Sequence, residues 1–502
     1  MLVLFLAGWV SAQETAAPPE IRAVVPEPAP TASPLRAIAL VQSKFTSTDI
    51  ATTNPFLDGQ VIGPLGGINQ TTVSDEDIAT YTEWRVAAFF TWSPAVLSGR
   101  ASLTAAIESD FAFGDRSYGT GGNTGGGFGA DMVNLQTRRL HATFKPLIGD
   151  DPLTVHVGLQ FLTDGAYDPT AATPDDLFRS GGRLMFFGSE ATGVSAYGQV
   201  RDDWGTRLHY RAGAFTLWES GLGEPDDVTL YLADAVFHPA QATNLGLHMW
   251  YLRDRGLGAA GGAFGSGITS TLSELQGGAK LDFREDGETT QPQTNADLFW
   301  VGAEAGYDHS LSQGALGATG MGFLNLGSLR PADRDATHVR GMLLDGEVRF
   351  RYARGKGSVA RAEAMFTTAD TPGGDYTGTI GGNSYGLVGA LNTTHGSLIL
   401  FPDPFAINRY ISVVHDPSFG GQGVLGLSSS VGFDPIPNRL TTQVGVSHAR
   451  SGGENVGTEI NGRIVGSPLL FLNTGLYGGA VFGTDLPATP WTVYAGLDWV
   501  MF

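Results

Sequence analysis

The stretch WGTRLHYRAGAFTLW (204–218) carries Arg207, His209 and Arg211 at every second position, with Leu208, Tyr210, Ala212 and Ala214 filling the gaps. Successive side chains of a β-strand point to opposite faces, so the segment has one apolar face and one cationic face. A tryptophan closes each end, Trp204 and Trp218. The same alternation recurs along the chain. In TEWRVAAFFTW (82–92), Trp84, Val86, Ala88, Phe90 and Trp92 oppose Glu83, Arg85 and Thr91. In LTVHVGLQF (153–161), Leu153, Val155, Val157, Leu159 and Phe161 oppose Thr154, His156, Gly158 and Gln160. VTLYLADAVF (228–237) sets Tyr231, Ala233, Ala235 and Phe237 against Asp234, and GEVRFRY (346–352) sets Val348, Phe350 and Tyr352 against Glu347, Arg349 and Arg351. Helical periodicity with caps is hard to find.

Composition fits strands with one greasy face joined by glycine-rich turns. Of 502 residues, 71 are glycine, and only 16% are charged, against roughly 25% in an ordinary soluble domain. After about residue 35 no linker divides the chain, which reads as one large unit. Cysteine is absent, which excludes disulfides, thiolate metal sites and cysteine nucleophiles. A net charge of -20 argues against nucleic acid as a partner. Of the 30 cationic side chains only Lys44, Lys145, Lys280 and Lys356 are lysine, so 26 are arginine, which suits planar recognition of carboxylate or phosphate or reflects a coding bias.

The connections carry a second signal. Short ones (93–100, 148–152, 238–243, 354–358, 434–439) alternate with long ones (46–79, 114–131, 164–181, 255–293, 369–420). The segments between them give about 18 strands, with 16 as the other even count, depending on whether 182–200 is one strand bulged at Gly188–Gly193 or two. Short turns at one end, long loops at the other and both termini on the short side describe an antiparallel transmembrane barrel. Soluble sandwiches need richly charged outer faces, which these strands lack. Only a closed barrel can hold strand backbone in lipid without orphan hydrogen-bonding groups. Fourteen steps of ~3.3 Å, tilted by ~40°, set Trp204 and Trp218 about 35 Å apart, the spacing of two aromatic girdles.

Residues 1–12 read as a secretory signal peptide, with LVLFLAGWV as its apolar core, Val10-Ser11-Ala12 as its cleavage site and no Lys or Arg near Met1. Residues 13–34 form a proline-rich periplasmic arm, which is a candidate plug or periplasmic docking segment, and 35–502 form the barrel with long extracellular loops. The terminal PWTVYAGLDWVMF (490–502) resembles the strand by which the barrel-assembly machinery recognises its clients, with Gly496, Trp499, Met501 and Phe502 as its elements. Asp498 departs from that pattern by a register slip of one. Trp491, Val493, Ala495, Leu497, Trp499 and Met501 are expected to face lipid.

An arginine-lined barrel of this size, with MLLDGEVRFRY (342–352) followed by ARAEAMFTTADTP (360–372), resembles the alginate-export and porin-like group of Gram-negative outer-membrane channels. The likeness is architectural and spans most of 35–502. It implies passive passage of small or anionic hydrophilic solutes, in contact with outer-membrane lipid and lipopolysaccharide, with no cofactor and no catalytic residue.

Strand parity puts Arg85, Arg207, Arg211, Arg349, Arg351 and Arg361 in the lumen, beside Glu83, Glu347, Glu363, Asp234 and Glu304. They form either a charged constriction that selects solutes or ladders of ion pairs filling a wet interior. If Arg211 belongs to a filter, Arg211→Glu changes anion over cation selectivity. Other motifs fail: GLGAAG (256–261) precedes no helix, so its likeness to a dinucleotide fingerprint is empty. GTGGNTGGGFGAD (119–131) occurs once, whereas calcium-binding glycine arrays repeat. The acid pairs Asp150-Asp151, Asp175-Asp176, Asp202-Asp203 and Asp226-Asp227 sit in turn-like settings. The ten histidines show no metal spacing. Two other function classes stay open: a scaffold or receptor binding through the loops at 46–79, 255–293 and 369–420, and an outer-membrane hydrolase, for which His156, His209 and His448 are the histidines to test.

Overall fold

In the computed structural model, the described residues are 34–49, 79–97, 99–113, 131–145, 153–164, 188–201, 207–219, 227–256, 268–269, 281–387, 396–401, 417–485 and 489–501. They form eighteen strands in one sheet. The first nine are β1 (Leu35–Thr48), β2 (Ala79–Trp92), β3 (Ala101–Phe113), β4 (Asp131–Phe144), β5 (Thr154–Thr163), β6 (Gly188–Arg201), β7 (Arg207–Trp218), β8 (Val228–Ala240) and β9 (Thr243–Asp254). The second nine are β10 (Thr294–Tyr307), β11 (Leu316–Pro331), β12 (Thr337–Arg351), β13 (Val359–Thr367), β14 (Val424–Ile436), β15 (Leu440–Ser451), β16 (Glu454–Leu469), β17 (Leu472–Phe482) and β18 (Trp491–Met501). Each strand pairs antiparallel with its sequence neighbours. β18 returns to β1, from Ala39 opposite Met501 to Thr48 opposite Thr492, so the sheet has no free edge. Closure at this strand number leaves a lumen wider than side chains alone fill.

The count of 18 and the antiparallel closed architecture match the sequence expectation. The ambiguous stretch at 182–200 holds a single strand, β6, with 182–187 outside the described residues. Some connections tighten: β8 and β9 are joined by 241–242, and β14 and β15 by 437–439. Both chain ends of the barrel, Leu35 and Met501, lie at the short-turn end. The other end carries the connections 49–78, 255–293 and 368–423, but also two tight ones, 332–336 and 452–453, which no long loop marks in the sequence.

The alternation sorts the two faces as read. In β2, Trp84, Phe90 and Trp92 are exposed on the outside while Glu83 and Ala87 are buried inside. In β7, Ala212 and Ala214 stand outside and Arg211 and Phe215 are buried inside. Outward Leu245, Leu247 and Met249 of β9, Val444 and Val446 of β15 and Leu476 of β17 continue an apolar skin around the barrel. Exposed aromatics gather toward the two ends of the strands: Trp92, Phe144, Phe237, Tyr307, Phe350 and Trp499 near the short turns, and Phe45, Trp84, Tyr231 and Phe366 in the opposite half. Such a surface suits a hydrocarbon layer between two interfaces.

Two local expectations change, and others, on Trp204 and the signal and arm residues 1–33, lie outside the described residues. Trp218 is no free surface anchor: the register of β7 against β8 shifts between Thr216 and Trp218, and its ring packs on the interior cluster. Phe161 is buried, with the Arg139 guanidinium 5.2 Å from its ring centre. Gly158, at φ +124°, interrupts the alternation just before it, and Gln160 to Thr163 are all buried.

Candidate functional site

The interior is divided in two. From β8 to β13 the inward positions are largely apolar, including Leu230, Leu232, Trp250, Leu252, Leu298, Trp300, Phe323 and Leu343, all buried. What covers them is mainly the connection from β13 to β14, joined by Ile268, Leu281 and Phe283 of the connection from β9 to β10. β13 has 9 residues against 15 in β12, which leaves the far end of β12 paired with β11 but without a partner on its β13 side. The connection fills that edge: the Arg340 amide donates to the Tyr376 carbonyl, and the Tyr376 amide to the His338 carbonyl. Gly341 permits the approach, since a Cβ there would lie 2.6 Å from the Gly378 carbonyl oxygen.

The chain then turns into the lumen. Trp300 Nε1 donates to the Ile380 carbonyl at 2.9 Å, and the Ile380 amide donates to Asn325 Oδ1 at 2.9 Å. Tyr385 reaches the end of β9 beside Asp254; burial, then the charge of that carboxylate, pushes the Tyr385 phenol well above its ordinary value. A second buried stretch, Ser397–Phe401, lies against β14 to β16. The expectation that 369–420 is one of the long extracellular loops is therefore corrected for its described parts, which are largely interior and narrow the lumen. The signal in the sequence was the apolar run Leu398-Ile399-Leu400-Phe401 inside a glycine-rich connection, together with β8 and β10 being apolar on both faces, a pattern of strands covered on both sides.

Beyond this cluster, which also takes in Leu162 of β5 and Phe215 of β7, the interior is mostly polar and charged. Arg85 contacts Glu108 at 3.4 Å, and Arg138 bridges Glu108 at 3.4 Å and Glu190 at 3.1 Å. Parity misses Arg138 because it is the extra residue of a bulge: opposite Ala106 and Ile107, the β4 partners step from Arg139 to Thr137. Glu83 is buried inside and sits opposite Lys44, whose Nζ lies 5.0 Å from the Tyr494 ring centre.

Arg211 faces inward as expected but is enclosed. Its Nε donates to Asp234 Oδ2 at 2.6 Å, and Nη1 to the Thr163 carbonyl. Asp234 also accepts from His248 Nδ1 at 2.7 Å and Trp250 Nε1 at 2.8 Å. Both side chains of the pair have 0% exposure. Glu304 is nearby, 3.8 Å from His248 Nε2. Arg207 is exposed at the short-turn end.

Three guanidiniums converge between β12 and β16. Arg349 forms a two-point bond to Glu347 at 2.6 and 2.7 Å and stands opposite Arg361, as Glu347 stands opposite Glu363. Arg361 interacts electrostatically with Arg349, Arg463, Glu347 and Glu363. Arg463, which the sequence reading did not single out, holds Gln443 Oε1 at 3.1 Å through Nε. Arg351, one step from this group, donates to the Leu311 carbonyl. Arg349, Arg361 and Arg463 are half-buried on the lumen wall.

The other singled-out residues are dispersed. His156 is buried beside Thr143 Oγ1 at 2.9 Å, His209 meets His238 at 5.3 Å between ring centres, and His448 projects on the outer side of β15 beside Thr458. Among the described residues no group of three His, Cys, Asp or Glu is placed to hold a metal ion. In β18, Val493 and Trp499 face outward and Gly496 inward opposite Gly475, as read, with Met501 the last strand residue and Phe502 outside the described residues.

No protein-family model matches the sequence, and no curated protein matches it. Among solved structures, the chain is similar to the outer-membrane protein OpdK of Pseudomonas aeruginosa at 10% identity and a TM-score of 0.47, covering 93% of this chain and 98% of that one. It is likewise similar to OccAB4 of Acinetobacter baumannii at 11% identity and a TM-score of 0.43, covering 94% of this chain and 99% of that one.

Proposed function

We propose that this protein is an outer-membrane channel through which small hydrophilic solutes diffuse, and that its arginines favour anionic ones. The observation that carries the reading is a closed barrel with an apolar skin and a divided interior. An inserted connection narrows the bore, and Arg349, Arg361 and Arg463 line the wall beside it. A cluster of cations on the wall of a narrowed passage raises the local concentration of anions, while Glu347 and Glu363 across the same rungs set a field transverse to the flow. The reading implies a Gram-negative outer membrane, contact with its lipid and lipopolysaccharide, and insertion by the barrel-assembly machinery through β18. It assigns no catalytic step and no cofactor.

Planar-bilayer recording tests it. In a salt gradient, Arg361→Glu should move the reversal potential toward cations, because it replaces the central charge of the three. An unchanged reversal potential removes Arg361 from the filter. Liposome swelling with sugars of graded size separates this reading from a plugged scaffold: entry of the small sugars supports a channel, and exclusion of all of them sinks it.

A further inference from the structure

We infer that Glu459 is the latch that holds the returning arm of the inserted connection against the barrel wall, and that this latch sets the width of the bore; the second half rests on the channel reading. Glu459 lies on β16 facing inward, with 0% exposure. Its Oε2 accepts from Ser397 Oγ at 2.5 Å, the Ile399 amide at 3.1 Å and the Leu400 amide at 2.9 Å. Its Oε1 accepts from the Leu398 amide at 2.6 Å and Asn461 Nδ2 at 2.8 Å. Three consecutive backbone amides aimed at one point form an anion cradle, and here the chain's own carboxylate fills it. Ser397 Oγ in turn accepts from the Phe401 amide, which closes the turn on itself.

The wall is shaped for this arm. The Gly396 carbonyl accepts from Ser447 Oγ and Asn461 Nδ2, both at 2.9 Å, and a Cβ on Gly445 would stand 2.7 Å from that carbonyl oxygen. A Cβ on Gly426 would stand 2.7 Å from the Phe401 ring. The bare backbone of β14 and β15 thus admits the arm, and Glu459 supplies the charged acceptor. The outgoing arm is anchored separately, by Trp300, Asn325 and β12. Loss of Glu459 therefore loosens the Ser397–Leu400 turn of one arm, leaving the bonds to the Gly396 carbonyl, without dismantling the other arm or the barrel.

The test compares Glu459→Gln and Glu459→Ala with the whole wild-type chain, using single-channel recording and amide hydrogen exchange. In the wild type the amides of Leu398, Ile399 and Leu400 should exchange as slowly as those of β15 and β16. In the variants they should exchange about tenfold faster or more, with strand amides unchanged. Conductance should rise by about twofold, with added open-channel noise. Fast exchange of the three amides in the wild type overturns the latch, and this outcome needs no variant to fold. Fast exchange in the variants with conductance equal to wild type overturns the control of the bore. A wild type that passes no ions overturns the channel reading, while the exchange comparison still decides whether Glu459 holds the arm.

Discussion

Arg211 and Asp234 illustrate how one guanidinium can be present in a lumen and unavailable to it. The pair has a short Nε to Oδ2 bond of 2.6 Å, and Asp234 spends its remaining lone pairs on His248 and Trp250. With both side chains shut away from water, the interaction is structural. Removing one member leaves the other as an unpaired buried charge, a loss of about 3–5 kcal/mol, whereas removing both costs much less. Arg211→Met should accordingly destabilise the barrel by that order in a urea folding titration in lipid vesicles. The double variant Arg211→Met with Asp234→Asn should recover a large part of it, because the asparagine still accepts from Trp250. Equal losses in the single and double variants would show that the pair is not coupled. Arg361 differs in kind, since its neighbours include two further guanidiniums beside two carboxylates.

A strand was legible wherever its two faces met different solvents. TEWRVAAFFTW and GEVRFRY show the alternation because one side forms the apolar outside of the barrel and the other its charged interior, and both became strands with the faces as read. β8 and β10 were harder, because Leu230, Leu232, Leu298 and Trp300 point inward and are still apolar. Period two cannot tell a lipid-facing row from an inward row covered by a distant loop. Bulges were invisible for a related reason: one extra residue at Arg138 flips parity from there to a second shift opposite Asp110 and Phe111. The outward rows remain the most predictive feature of each element. Met249 of β9 is 57% exposed between outward Ala233 of β8 and Val301 of β10, with nothing but the outer medium over it. Met249→Arg should cost about 2–4 kcal/mol in the same folding titration in vesicles, the penalty for a cation near the bilayer midplane. In a detergent that hydrates the barrel surface the penalty should shrink. A cost of zero in vesicles would show that this row does not meet hydrocarbon.

At the scale of the whole molecule, the net charge and the lumen charge point in opposite directions. The chain carries -20 overall, yet the narrowed interior gathers Arg349, Arg361 and Arg463 about Glu347 and Glu363. Which sign a solute responds to depends on how far each charge reaches. Surface and loop carboxylates act across open water and are screened within about 10 Å at 0.1 M salt and about 3 Å at 1 M. Charges on the lumen wall beside the inserted connection act at contact range and in a lower effective dielectric, so they are screened less. The two contributions can therefore be separated by ionic strength alone. Raising the salt should strip away the cation-attracting field of the loops first, and the permeability ratio of anion to cation should rise between 0.1 and 0.5 M before declining toward the ratio of bulk mobilities. In Arg361→Glu the initial rise should be absent, because the contact-range charge it depends on has changed sign. Reversal potentials at fixed gradient ratio and increasing mean salt measure this directly. A wild-type ratio that only declines over the whole range would mean that the arginines on β12, β13 and β16 do not govern what passes.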